Sequence, residues 1–225
     1  MAELQVRWET LDAIPALETA APVVTGEGVS APTPESAAPA KSAMSADKPY
    51  VVYVTDPGAD AKAIDAIEKV IFDDDRIQLG TKAFHMVRMT PEAATADPIL
   101  KEKGGKEIPR LILVTADLKS VKAVEGNALK VSEVWSGMKA VAGRHYKQDL
   151  DTVVKELLSV LGEFDKIAKA RTVVDEKEKR LADKMTPADQ KDLEAKRAEL
   201  DAKQKKAEAQ RDKLLELKAK DAKAA

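Results

Sequence analysis

The chain has 225 residues and no cysteine, and its 37 Lys and Arg stand against 39 Asp and Glu for a formal charge of -2. That balance provides no basic field for a nucleic acid or an anionic membrane, and the missing thiols exclude disulfides, thiol nucleophiles and thiolate metal sites together. No run approaches the roughly 20 apolar residues of a membrane helix, and the opening MAELQVRWET, with Glu3 and Glu9, lacks the apolar core of a signal peptide, so the expectation is a cytoplasmic protein, or a periplasmic one if a signal has been removed.

Residues 1–21 read as a short amphipathic docking segment, because Leu4, Trp8, Leu11 and Ile14 recur at helical intervals. So short a helix is marginal alone in water, and both docking to a partner and folding back onto its own domain stay open. Residues 22–48 collect Pro, Ala, Ser and Gly with little to bury, the composition of a disordered, flexible linker.

From Pro49 to Gln148 the texture is that of a packed α/β domain. Tyr50 to Thr55 is β-branched and aromatic and ends at Asp56-Pro57-Gly58, so it reads as a strand and its exit turn. Ala63, Ile64, Ile67, Val70 and Ile71 predict the apolar stripe of a helix over 59–73, and Lys82 to Met89 predicts a second strand. Thr90-Pro91 and Asp97-Pro98 each place a capping residue before a proline, and Gly104-Gly105 is a stop, so helix is expected between Pro91 and Lys103. After Pro109 the sequence predicts paired strands at Leu111–Thr115 and Lys119–Glu125, then a helix capped by Ser132.

The order strand, helix, strand, helix, proline, strand, strand, helix resembles a thioredoxin-like domain. On that pattern Val52 to Asp56 match the central strand, Lys62 matches the lysine that follows the active site, and Gly58, Ala59, Asp60 and Ala61 fall where the family carries Cys-x-x-Cys. Ile108 and Pro109 match the residue before the cis-proline and the proline itself. The resemblance implies a sandwich with a central mixed sheet flanked by helices. Gly-Ala-Asp-Ala at the redox position departs from the family where its chemistry resides, so no dithiol exchange is expected. A cis-proline loop without cysteines retains one use, pairing the backbone of Ile108 with an extended peptide; the alternative is a proline that only shapes its loop.

Other constellations are weaker. Asp73-Asp74-Asp75 are adjacent, and so lack the spaced ligands of a calcium loop. His85 and His145 are too few for a closed zinc site. Gly104-Gly105-Lys106 lacks the upstream glycine and the hydroxyl of a phosphate loop. No metal or cofactor is expected.

Residues 149–225 are helical in composition. Leu150, Val154, Leu157, Leu161, Phe164 and Ala168 alternate four- and three-residue steps, the seam of a coiled coil, and Thr186-Pro187 restarts a helix amid charge. Folding back there as an antiparallel hairpin would pair Leu181 with Leu193, Val174 with Leu200, Ile167 with Ala207 and Val160 with Leu214, every pair sharing one sum of residue numbers. Glu163 and Arg211 would flank that seam. A parallel coil with a second copy is the alternative. The functional expectation is a non-catalytic scaffold and complex subunit, binding protein partners, a second copy included, through the hairpin and the Ile108 loop. The alternatives are a cysteine-free transferase-type enzyme on the same fold and a holdase-like chaperone.

Overall fold

The computed structural model describes residues 9–10, 48–56 and 58–220, in two compact units, the first ending at His145 and the second beginning at Tyr146. The first is α/β. Its strands are β1 (Glu9–Thr10), β2 (Tyr50–Val54), β3 (His85–Met89), β4 (Arg110–Val114) and β5 (Val121–Glu125). Between and after them lie α1 (Ala61–Phe72), α2 (Asp75–Gly80), α3 (Pro91–Ala96), α4 (Pro98–Lys103) and α5 (Val131–His145). The sheet is mixed, in the order β1-β3-β2-β4-β5, with β1, β3 and β2 parallel and β4 and β5 antiparallel to their neighbours.

All five residues of β2 and all five of β4 are buried, so these strands are covered on both faces and, Arg110 apart, read as apolar runs rather than alternations. On one face Val52, Val54, Ile112 and Val114 pack with Ala94 of α3 and Leu100 of α4. On the other, the Tyr53 ring meets Phe72 of α1 edge-on at 5.5 Å. Burial pushes the Tyr53 hydroxyl up to about 12; the nearby Glu68 carboxylate adds to the rise and Arg88 opposes it.

Local chemistry explains where the elements begin. Thr90 accepts the Ala93 N–H at 3.3 Å, and Asp97 accepts those of Ile99 at 2.8 Å and Leu100 at 3.1 Å, so each Thr/Asp-Pro step starts its own short helix where the sequence predicted one. The aspartate run is likewise a cap: Asp74 receives the Arg76 and Ile77 N–H groups and opens α2, which the sequence pattern concealed in six residues. Its carboxyl is held below the usual range, first by the Arg76 guanidinium.

Three expectations are corrected. Ser132 lies inside the first turn of α5, whose opening bonds run to the Lys130 carbonyl from Glu133 and Val134. Val70 is 65% exposed because it sits about 100° around α1 from the fully buried Ile71. β3 starts at His85, since Thr81–Ala83 forms a 3-10 turn before it.

The second unit consists of α6 (Leu150–Leu181), a 3-10 turn at Ala182–Lys184 and α7 (Pro187–Leu215). Among the described residues no helix is long and apolar enough to cross a membrane.

Packing of α2 on α5 tolerates no added atom at Gly80, where a Cβ would lie 2.7 Å from the Trp135 ring and 3.1 Å from the Met138 methyl. Gly80→Ala is expected to cost about 1–3 kcal/mol, read as a lower urea midpoint with an unchanged slope.

Candidate functional site

The hairpin of α6 and α7 makes up most of the second unit. Asp149 caps α6 by accepting the Thr152 N–H at 2.9 Å. At the far end Thr186 and Asp189 form a reciprocal capping box, each side chain taking the other's backbone N–H at 3.2 Å, with Pro187 at the first helical position. The Thr186 hydroxyl, its first cause, holds the Asp189 carboxyl below its ordinary range.

Val160, Ile167 and Val174 on α6 and Leu193, Leu200 and Ala207 on α7 are buried, each set spaced by seven residues. Ile167, Val174, Leu193 and Leu200 form one cluster, with Ala170 and Met185 packed against it. Leu181 and Leu214, at the ends of the expected seam, are half-buried. Midway between the buried positions runs a second, half-buried row: Phe164, Arg171 and Glu178 on α6, and Arg197, Gln204 and Arg211 on α7. Arg197 forks onto Glu178 at 3.1 and 2.5 Å and reaches Asp175 at 3.1 Å. Arg171 meets Asp201 at 2.6 Å and Lys177 meets Asp192 at 2.9 Å. Numbers rise along α6 as they fall along α7, so the arms are antiparallel within one chain.

These pairs specify more than they stabilise, because exposed ion pairs contribute little net energy while opposed charges at seam-flanking positions set register and orientation. Glu178 first, with Asp175, raises the Arg197 pKa above its ordinary range, and Lys177 lowers that of Asp192. Of this row the sequence reading names Phe164 and Arg211 but not the pairing of Arg197 with Glu178. The rest of its signal was present as polar residues at the same heptad spacing, charged Arg171 and Glu178 against Arg197 and Arg211 with the neutral Gln204 between, which an apolar search passes over.

The apolar stripe expected on α6 is corrected in phase. Leu150, Val154 and Leu157 are buried, but Leu161 and Phe164 are only half so and Ala168 is exposed. The buried row there is the expected hairpin seam, Val160, Ile167 and Val174, which matches the seven-residue spacing of Leu193, Leu200 and Ala207. Glu163 receives Lys166 at 2.6 Å, and the Arg211 guanidinium lies 5.9 Å over the Phe164 ring. A C-terminal strap closes the base: the Lys147 N–H donates to the Lys218 carbonyl at 2.9 Å, and the Lys218 N–H to the Gln148 amide oxygen at 3.0 Å.

The second surface is the loop between α4 and β4. Gly105, at φ +78°, turns the chain over Glu125, where a Cβ would fall 2.3 Å from the carboxylate. One oxygen of Glu125 then accepts the Lys106 N–H at 2.7 Å and the Glu107 N–H at 2.9 Å, pinning the loop from the neighbouring strand. The Ile108–Pro109 bond is cis, and Ile108 is 41% exposed. Beneath it Arg110 is only 5% exposed and donates to the Glu107 carbonyl at 3.1 Å, while its Nε has no partner among the described residues. Burial holds this guanidinium below its ordinary pKa, against the pull of Glu125.

Gly58, Ala59, Asp60 and Ala61 lie at the same end of the sheet, since Val54 and Arg110 are register partners. All four are exposed. The Gly58 N–H donates to Asp56 at 2.7 Å, the Ala59 N–H to the Asp56 carbonyl at 3.1 Å, and Asp60 caps α1 through the Lys62 N–H at 3.0 Å. The stretch is a turn followed by a helix start, held by two aspartates.

Leu4, Trp8, Leu11 and Ile14, like the linker that follows them, lie outside the described residues. Glu9–Thr10, between them, is strand, which corrects the helical reading there: the edge of β3 supplies ladder partners that a helix cannot use. His85 stacks obliquely on Tyr50 at 5.0 Å. No group of three or more metal-binding side chains occurs among the described residues.

Two measurements follow from this geometry. Thr186→Ala removes the cap at the hairpin turn and is expected to cost about 1 kcal/mol of helical stability in chemical unfolding. Glu125→Ala removes the acceptor of two amides, so hydrogen exchange at Lys106 and Glu107 is expected to accelerate while the core strands keep their protection. Neither surface comes with a relative to interpret it: no protein-family model matches the chain, and no curated protein or solved structure matches it either.

Proposed function

We propose that this chain is a non-catalytic interaction protein, a thioredoxin-like domain followed by an antiparallel helical hairpin whose outer faces are the principal contact surface for a protein partner. The observation that carries this reading is the division of labour in the hairpin. Its buried apolar residues lie between the arms, in the Ile167, Val174, Leu193 and Leu200 cluster, ion pairs link the arms beside them, and the exposed faces are mostly charged, with Val173 and Leu215 as apolar exceptions. Such a surface is rigid, specific in charge pattern, and suited to a partner that matches it electrostatically.

The thioredoxin-like part of the proposal is supported by the order of elements and by the mixed sheet flanked by helices. A second contact is proposed at Ile108, because this residue is exposed on a loop whose backbone is held from below by Glu125. An extended segment pairing there would find a preformed loop and so lose little affinity to ordering it.

Leu200→Asp places a charge in the seam. It is expected to fray the outer half of the hairpin, leave unfolding of the first unit unchanged, and lower the amount of partner captured from a native extract by about tenfold or more. Undiminished capture by that variant, and by a chain lacking 171–225, would remove the hairpin as the contact surface.

A further inference from the structure

β1 enters the sheet from far away in sequence. Glu9 registers with Val87 and Thr10 with Arg88, in parallel, yet β2 does not begin until Tyr50. Parallel strands are ordinarily joined by a crossover that packs on the sheet, most often a helix. Here the join is residues 11–49, rich in Ala and Pro. Fully extended at about 3.3–3.6 Å per residue it reaches at most about 140 Å, several times the width of a sheet of this size. Its length therefore does not decide whether β1 joins the β3 edge of its own chain or that of a neighbour.

What favours the chain's own edge is local concentration alone, which a tether of this kind holds on the order of 1 mM. Against that stand two registered residues, whose few ladder bonds are each of small net value in water. We propose that the outer edge of β3 is a strand-acceptor site, and that the N-terminal segment of a second copy of this chain takes it in place of the resident strand as copies approach that concentration, as they do inside an assembly. The occupant follows from the register: the identical segment makes identical pairs. This surface is distinct from the hairpin and stands or falls separately from it.

The absence of native cysteine makes the test clean. Facing residues in neighbouring strands lie about 4.7–4.9 Å apart, within the Cα range of a disulfide, so Thr10→Cys combined with Arg88→Cys in one chain is expected to crosslink on oxidation. The two single variants, mixed, are expected to give a mixed disulfide dimer. Its yield should rise about fiftyfold, from about one edge in a hundred at roughly 10 µM to about one in two at roughly 1 mM. Because Arg88→Cys also loses the 2.7 Å pair with Glu68, a second measurement leaves β3 intact. Chain labelled with a nitroxide through Thr10→Cys is mixed with isotope-labelled unmodified chain, and the Val87 and Arg88 amides of the latter should broaden with the same concentration dependence. Failure of the double variant to crosslink overturns the proposal. So does a mixed disulfide no commoner than the Thr10→Cys homodimer at about 1 mM, together with unbroadened β3 amides.

Discussion

The antiparallel pairing of β2 with β4 is the contact on which the first unit depends. Tyr50 to Val54 face Val114 to Arg110 residue for residue, and all ten are buried. Two strands covered on both faces can lie only at the centre of a sheet, with helices on either side, so the places of β3, β5 and the flanking helices follow from that pair. The same pairing sets the end of β2 beside the start of β4. It thereby brings the Gly58–Ala61 turn and the Ile108–Pro109 loop to one end of the sheet although about fifty residues separate them.

Arg110 shows what that arrangement requires of its neighbours. A guanidinium at the first position of a buried strand has few ways to be satisfied, and one is the Glu107 carbonyl at 3.1 Å. Glu125, its register partner on β5, supplies the compensating charge and uses one oxygen to hold two amides of the same loop. Loop shape, buried cation and edge strand thus form one coupled unit, in which the exposed Ile108 is the outward-facing part.

The hairpin answers a different constraint. Its apolar seam is narrow, with only Leu193, Leu200 and Ala207 buried on α7. Antiparallel orientation is then specified by paired charges, Arg197 with Glu178 and Asp175 and Arg171 with Asp201, and by closure at both ends, the Thr186 capping box at the tip and the Lys218 strap at the base.

Periodicity and punctuation in the sequence alone determined the elements with strong local signals. Among them are β2 and β4 from their apolar runs, α3 and α4 from their Thr-Pro and Asp-Pro starts, and the reversal at Thr186-Pro187 from its cap. Local chemistry suffices in these cases because a strand buried on both faces or a capped first turn is specified by a few adjacent residues. Tertiary structure decided the rest. On α6 the shared sum of residue numbers already marks Val160, Ile167 and Val174 as the seam, and the structure decided only that the other stripe, through Leu161 and Ala168, is not buried. Glu9–Thr10 is strand because β3 has an edge to pair with, information that no window around Trp8 contains. Glu125 became a loop anchor and Arg110 a buried cation because a β-ladder sets them side by side, fifteen positions apart in the chain. Contacts of that kind belong to the fold as a whole, and local propensity in the residues that make them carries no trace of the partner.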